Sequence, residues 1–465
     1  MYSGGRALRI LLTVHIFLPE HYGGTEQLTR HTGVELLARG HEVHVLAGGA
    51  GGWRDGTLVP YGDYDYQGLK VHTVGAPRRR NVVETIRDEY ANEPVAEHAR
   101  RYLERVQPDV VHIFNLGNLS GALLDVFQEI DVPVVFTPTS FWPICKMATL
   151  TKPSGELCAG PDELSANCLE CWGAERHVRP EALPQTSDKR EFYRALARQT
   201  LSEGKNDKVE PLWTMLRRNR YLHERFNRTV GAILSPNEFM SRKLAEHGIG
   251  PELIHLSPFG IDTTGFETAR TPRAGSRGLR VGFIGSINHL KGLHVLIEAF
   301  KKLPPDSGAT LRICGGLDGW PDYACEVHEL AGDAPRINFA GAFPNEEMAA
   351  ELGKIDVLVV PSVWHENTPL IVYSAFAAGI PVVASKTEGL AAVVHHEVSG
   401  LLFEPGNADD LAGQLGRLGR EPGLLEELGG RASETRDVAD SVDEMLELYK
   451  RLLGEKRQER IAHAG

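Results

Sequence analysis

Two short runs in this 465-residue chain carry residue types and spacing suited to phosphate chemistry. The first is Val360-Pro361-Ser362-Val363-Trp364-His365-Glu366-Asn367-Thr368-Pro369-Leu370. Here a strand is expected to end at Pro361, and a helix to begin with Thr368 as its cap and Pro369 in its first turn. A helix start offers unpaired backbone N–H groups and the positive end of the helix dipole, worth roughly 0.3–2 kcal/mol to an anion. Asn367, Thr368 and Leu370, with Pro369 setting the first turn, would thus receive phosphate beside the Glu366 carboxylate. The second run, Phe283 to Gly292, has a glycine turn at Gly285-Ser286 after a strand and Lys291 just before a helix. An ammonium there would neutralise a diphosphate, contributing roughly 4 kcal/mol at about 4 Å and an effective dielectric near 20. Taken alone, a capped core helix and a surface lysine account for these runs equally well.

A third pattern is Cys145, Cys158, Cys168 and Cys171, the last two spaced as CxxC in a loop punctuated by Pro153, Gly155, Gly160 and Pro161. Four thiolates match a structural zinc ion or an iron–sulfur cluster, while reduced reserve thiols and disulfides remain open. Cys314 and Cys325 lie elsewhere and read as core or surface thiols. Asp63 and Asp65 form a carboxylate pair of the kind metal-dependent transferases use. Gly62, Tyr64, Tyr66 and Gly68 around them read instead as a surface turn.

The elements that position these residues follow a repeated grammar. Leu8 to Val14 is a strand-forming run, Gly23-Gly24 opens a turn, Thr25 is placed to cap, and a helix should stop at Gly40. Further strands are expected at Glu42 to Leu46, Pro108 to Phe114, Val132 to Thr137 and Ile254 to Leu256. Ser235-Pro236-Asn237-Glu238 reads as a capping box opening a helix to about His247. A polar linker without apolar period covers residues 263–278. A second series follows: strands at Leu279 to Ile284, Leu311 to Cys314, Ile337 to Ala340 and Asp356 to Val360, with a helix from Leu293 to Lys302. Val442 to Leu453 is an amphipathic helix. The fold class is therefore α/β, with two Rossmann-like domains facing across a cleft, because open parallel sheets bind ligands beyond the carboxyl ends of their strands.

Composition narrows the function. A net charge of −12 argues against a nucleic-acid partner, six cysteines are too few for a disulfide scaffold, and a reducing compartment suits them. No apolar run reaches the 18 residues of a spanning helix. The helices expected at Lys189 to Arg198 and Trp213 to Arg228 mix arginine with apolar residues. Trp213, Leu216, Arg217 and Arg218 would suit contact with an anionic membrane, but a helix packed on the N-terminal sheet with a solvated basic face is the preferred reading.

Taken together, Gly23-Gly24-Thr25-Glu26, the strand with His112, Lys291-Gly292, Pro361-Ser362, Glu366 and Ala378-Gly379-Ile380-Pro381-Val382-Val383-Ala384 resemble the retaining glycosyltransferases of family 4. The resemblance covers nearly the whole chain and implies the GT-B fold. It implies an N-terminal acceptor-binding domain over 1–262 with a cysteine-rich and helical insertion at about 141–228, and a linker at 263–278. A C-terminal domain over 279–440 would bind a nucleotide-diphosphate sugar, and a helix over 441–465 would cross back. Glu366 would hold the donor sugar, His112 would lie in the segment lining the sugar pocket, and Lys291 would contact the diphosphate. Gly24, Gly285, Ser286 and Ser374 complete the donor-binding set.

Three positions depart from the family pattern. Ser374 stands where a second glutamate commonly holds the ribose, Ser286 where an arginine is frequent, and Phe114 where a histidine is frequent. Loss of a charge-assisted ribose hydrogen bond would weaken binding by roughly 1.5–3 kcal/mol. The implied reaction is metal-independent transfer with retention onto a glycan or lipid-linked acceptor, with no cofactor for catalysis. The location would be cytoplasmic, including the inner membrane face. A non-catalytic nucleotide-sugar-binding homologue and a sugar-nucleotide epimerase of the same fold are the alternatives.

Overall fold

The computed structural model describes residues 6–464, apart from 21, 50–52, 55–56, 59, 76–81, 163–164, 166, 169–170, 172–190, 192–209, 267–277, 318, 422 and 432–434. The helix expected at Lys189 to Arg198 and most of the linker lie outside the described residues. Two units emerge: residues 1–258 with 439–465, and residues 259–438.

In the first unit, Ile10, Leu11, Leu12 and Val14 of β1 (Arg9–Val14) are all buried, as a strand covered on both faces requires. It is followed by α1 (Gly24–Ala38), β2 (Glu42–Gly49), β3 (Pro60–Tyr66), β4 (Leu69–Gly75), α2 (Val82–Asp88), α3 (Glu93–Val106), β5 (Val110–Ile113), α4 (Leu123–Glu129), β6 (Val134–Phe136), α5 (Glu210–Thr229), β7 (Ala232–Ser235), α6 (Glu238–Glu246) and β8 (Ile254–Leu256). The sheet order is β8-β7-β6-β5-β1-β2-β4-β3, parallel except for the antiparallel edge pair β3/β4. Asp63 and Asp65 therefore lie on an edge strand rather than in a turn, which corrects the loop expectation. The turn is at Gln67-Gly68, both with positive φ, and Asp63 hydrogen-bonds His72 across the pair.

Two expected caps also shift. Gly23, not Thr25, is the cap residue of α1, and Asn237, not Ser235, caps α6 by accepting the Met240 N–H at 2.8 Å. Asn237 wins because Pro236 stays outside the helix and the Ser235 hydroxyl is spent on the Asn237 carbonyl.

The second unit runs β9 (Arg280–Ile284), α7 (Leu293–Lys301), β10 (Thr310–Cys314), α8 (Pro321–Ala331), β11 (Ile337–Gly341), α9 (Met348–Leu352), β12 (Val357–Val360), α10 (Leu370–Ala377), β13 (Val382–Ser385), α11 (Glu388–Ala391), β14 (Gly400–Phe403), α12 (Ala408–Arg420) and α13 (Leu424–Gly430). All six strands are parallel, in the order β11-β10-β9-β12-β13-β14. Counted from β9 this is the 3-2-1-4-5-6 doubly wound order, and connections diverge between β9 and β12.

The final helix, α14 (Val438–Ala464), is longer than its periodic core suggested, and residues 439–465 return to the first unit. It buries Val442, Met445, Leu446, Leu448, Tyr449 and Leu452 there. Lys456 and Arg460 pair with Asp131 at 2.6 and 3.0 Å.

Candidate functional site

The point of divergence in the second sheet is where Glu366 and Lys291 meet. Lys291 closes a short turn (His289–Lys291) that follows β9, and the Asn288 side chain caps that turn by accepting the Lys291 N–H at 3.2 Å. Gly292 comes next with φ +68, and a Cβ there would lie 1.9 Å from the Pro361 carbonyl oxygen. Only glycine lets the loop after β9 pack this closely on the loop after β12.

From β12 the chain runs through an irregular loop, Pro361 to Pro369, that bends at Val363-Trp364 and again at Asn367, and Glu366 is buried in it. Three donors converge on Glu366 Oε1: Lys291 Nζ at 2.6 Å, the Ser362 hydroxyl at 2.7 Å and the Trp364 indole N–H at 2.9 Å. The ammonium also stands 5.3 Å from the Trp364 ring centroid, within cation–π range. Gly389 supports the carboxylate's backbone from behind, since a Cβ there would fall 1.6 Å from the Glu366 carbonyl oxygen.

The structure thus gathers Lys291 and Glu366 as one ion pair and adds Ser362 and Trp364. Spacing alone singled out neither as a partner of Glu366. Trp364 reaches Glu366 because the loop bends at Val363-Trp364, a local conformation that the residue spacing does not announce. Asn367 and Thr368 are buried just beyond, and Pro369 and Leu370 are half-buried. The α10 cap is Pro369, not Thr368, which corrects the expected boundary, and the Thr368 hydroxyl donates to the Asn367 carbonyl. Ser374 sits one turn into α10 with its hydroxyl donating back to the Leu370 carbonyl at 3.2 Å. Gly285 follows β9 directly with its N–H on the Cys314 carbonyl, and Ser286 beside it is exposed.

In the first unit Gly24 is exposed at the first residue of α1 with open space where a Cβ would stand. Glu26, two residues on, is buried, and its carboxyl is pushed up to about 7, chiefly by burial, against hydrogen bonds from its own amide and that of Gly23. It stands 3.3 Å from His15 Nε2 at the end of β1.

His112 is corrected outright. Its ring is fully buried in β5, stacked on Phe114 at 4.6 Å, with Nε2 on the Thr137 hydroxyl at 2.7 Å and Nδ1 on the Tyr449 hydroxyl. Both ring nitrogens serve the fold, no surface is left for a substrate, and burial pulls its pKa down to about 3. Phe114 completes this stack, so the two ring positions form a packing unit tying α14 to the sheet.

The face of α5 expected at a membrane is also spoken for. Arg218 is fully buried on Glu89 at 2.8 Å, and Trp213 and Leu216 pack on the first unit's core, while Arg217 is exposed. Among the described residues no helix is long and apolar enough to cross a membrane. Cys145, Cys158, Cys168 and Cys171 all line one cavity of the first unit.

Residues 23–260 match the glycosyl transferase 4-like domain and residues 270–435 the glycosyl transferases group 1. The chain belongs to this family of GT4-type glycosyltransferases. A putative colanic acid biosynthesis glycosyltransferase, WcaL, of Salmonella typhimurium is 30% identical over 211 residues, 44% of this chain and 52% of that one. A D-inositol 3-phosphate glycosyltransferase of Acidothermus cellulolyticus is 32% identical over 236 residues, covering 47% and 52%. The chain thus spans about half the length of these curated relatives.

Among solved structures, Anabaena HepE in complex with UDP and glucose aligns at a TM-score of 0.61 and 16% identity, covering 95% of this chain and 99% of that one. Sucrose-phosphate synthase of Thermosynechococcus elongatus aligns at 0.65 and 18%, covering 96% and 100%. These likenesses establish the α/β GT-B-type fold with two Rossmann-like sheets.

Proposed function

We propose that the chain is a retaining glycosyltransferase that moves a sugar from a nucleoside-diphosphate sugar to a glycan or lipid-linked acceptor. The observation that carries this reading is the Lys291–Glu366 pair beyond the carboxyl ends of β9 and β12, where doubly wound sheets take their ligands. The donor's diphosphate draws the Lys291 ammonium, and the free amides at the start of α10 supply further donors. As the bond from the anomeric carbon to the diphosphate breaks, the leaving oxygen takes the electron pair and these groups meet its charge. The acceptor oxygen forms its bond on the same face, and its proton passes to the leaving phosphate. Glu366, braced at Oε1 by Ser362 and Trp364, accepts hydrogen bonds from sugar hydroxyls.

Gly285 and Ser286 leave the backbone open to the nucleotide, Ser374 offers a neutral hydroxyl toward the ribose, and Gly24 admits phosphate or acceptor close to its backbone. The first unit takes the acceptor. No cofactor enters the scheme, and His112 has no part in it. The supply of nucleotide sugars and the reduced cysteines suit a cytoplasmic enzyme, working at the inner membrane face when its acceptor is lipid-linked. The UDP-glucose complex of HepE, which shares the fold, supports a nucleotide-sugar donor. A panel of nucleotide sugars, read for nucleoside diphosphate release and for product anomer, tests the reading. Transfer with retention is expected. Binding without turnover, or an interconverted sugar nucleotide, would replace it with a non-catalytic binder or an epimerase.

A further inference from the structure

Among the described residues, which include Cys145, Cys158, Cys168 and Cys171, no group of three or more His, Cys, Asp or Glu is gathered to hold a metal. The polar cluster that does leave atoms for a ligand is the one at Glu366. All three of its donors lie on Oε1, and among the described residues none reaches Oε2. The donors differ in kind. Ser362 and Trp364 belong to the same loop as Glu366, four and two residues before it, so they travel with the carboxylate, and Ser362 is fully buried. Lys291 comes from a second loop, after β9, and stands on a flexible four-carbon stem. Its side chain is 27% exposed, against 5% for Glu366. An ammonium has three N–H donors, and among the described residues Glu366 Oε1 is the only acceptor it meets. The remaining hydrogens are open to a ligand. Lys291 is thus the detachable member of the cluster.

Trp364 is what lets it detach while the rest of the cluster stays. The indole N–H donates to Oε1 at 2.9 Å, and the ring holds the ammonium 5.3 Å from its centroid. One side chain therefore touches both partners of the ion pair, and its contact with the cation uses the π-face, which spends none of the ammonium's hydrogens. A buried carboxylate that lost a lone cationic partner would be left uncompensated. Here two neutral donors remain on Oε1. A diphosphate carries more negative charge than one carboxylate and offers more acceptor oxygens, so it draws the ammonium more strongly than Glu366 does. The hydroxyls of a sugar without phosphate are neutral and do not.

We propose that Trp364 is a positioning residue of the donor site: it keeps Glu366 in place while the Lys291 ammonium passes from that carboxylate to an incoming diphosphate. This exchange presupposes the donor reading above and adds that the ion pair is opened by the ligand's phosphates. No covalent bond changes and no proton is transferred; the ammonium trades one anionic acceptor for another.

Indole emission reads the exchange without turnover. Pyrophosphate and UDP are titrated into the full chain, with binding followed by calorimetry and emission excited at the red edge of the indole band. Both ligands should bind and shift the emission, and glucose alone should not. Trp364→Phe should still bind pyrophosphate, because the Lys291 ammonium remains, but should lose the shift. Lys291→Met lacks the ammonium from the outset. Its spectrum without ligand should be displaced from the parent's in the direction that pyrophosphate displaces the parent, which carries the test if Trp364→Phe fails to fold. Turnover of the preferred nucleotide sugar should fall in Trp364→Phe while pyrophosphate affinity holds; unchanged turnover would show that the indole does not position Glu366. Failure of both ligands to bind would overturn the donor reading and the exchange together. Binding that leaves the emission unmoved, a shift that survives Trp364→Phe or that glucose alone produces, or a Lys291→Met spectrum displaced the other way would overturn the exchange alone.

Discussion

Glu366 Oε1 accepts from an ammonium, a hydroxyl and an indole at once, so the ion pair is as much a structural joint as a reactive centre. Replacing Lys291 by methionine leaves a buried carboxylate with two neutral donors. Loss of a charged hydrogen bond in that setting costs about 1.5–3 kcal/mol, so a denaturant titration should show the variant less stable by that order even without ligand. Nucleoside diphosphate affinity should fall with it, because the same ammonium is offered to the diphosphate. A variant as stable as the parent would show that the pair does not hold the two loops together. Gly389→Ala is more severe. The 1.6 Å approach to the Glu366 carbonyl cannot be relieved by a side-chain rotation, so poor expression or loss of the folded second unit is expected on circular dichroism. Normal folding of that variant would contradict the backbone geometry around Glu366.

At the scale of elements, α14 is keyed to the first sheet through Tyr449, His112 and Thr137. Tyr449→Phe removes the hydroxyl and orphans a ring nitrogen in a fully buried site, a loss of about 1–3 kcal/mol that thermal melting should register as a lower Tm. An unchanged Tm would mean the hydroxyl is dispensable to the anchor.

Many strands of both sheets were readable from apolar runs, because strands buried on both faces write themselves as continuous Val, Ile and Leu, but β7, β13 and β14 were not among those expected. The β3/β4 edge pair was not: β3 alternates exposed Asp63 and Asp65 with half-buried Tyr64 and Tyr66, and the largely buried β4 is broken up in sequence by Lys70, His72 and Thr73. The site was half legible. Lys291 and Glu366 could be named from their runs and from family resemblance, but Trp364 and Gly389 gain meaning only from the closeness of loops after different strands. His112 misled for a related reason: a buried histidine that satisfies both nitrogens within the fold carries the same letter as one lining a pocket.

For the molecule as a whole, acid sensitivity follows from buried titrating groups. Burial holds His112 down to about 3, and His98 and His223 down to about 4, each further lowered by neighbouring positive groups in the latter two. The unfolded chain takes up their protons near pH 6.5 and the folded chain does not, so stability is lost as pH falls from there. The slope is at most about 1.4 kcal/mol per pH unit for His112, and less for the more solvated pair. Glu26 opposes this. Its folded carboxyl keeps a proton up to about pH 7 that the unfolded chain releases near 4.5, so its contribution falls as pH rises between those values. Glu26→Gln should therefore steepen the fall in Tm between pH 6.5 and 4.5, and a shallower fall would contradict the assignment.

The donor reading itself rests on Glu366 acting on the sugar while Lys291 and the α10 amides hold the diphosphate. Turnover of the preferred nucleotide sugar and affinity for its nucleoside diphosphate, both measured on Glu366→Gln beside the unmodified chain, separate those roles. A fall in turnover far exceeding any fall in diphosphate affinity is the expected result. Equal losses in both would contradict it.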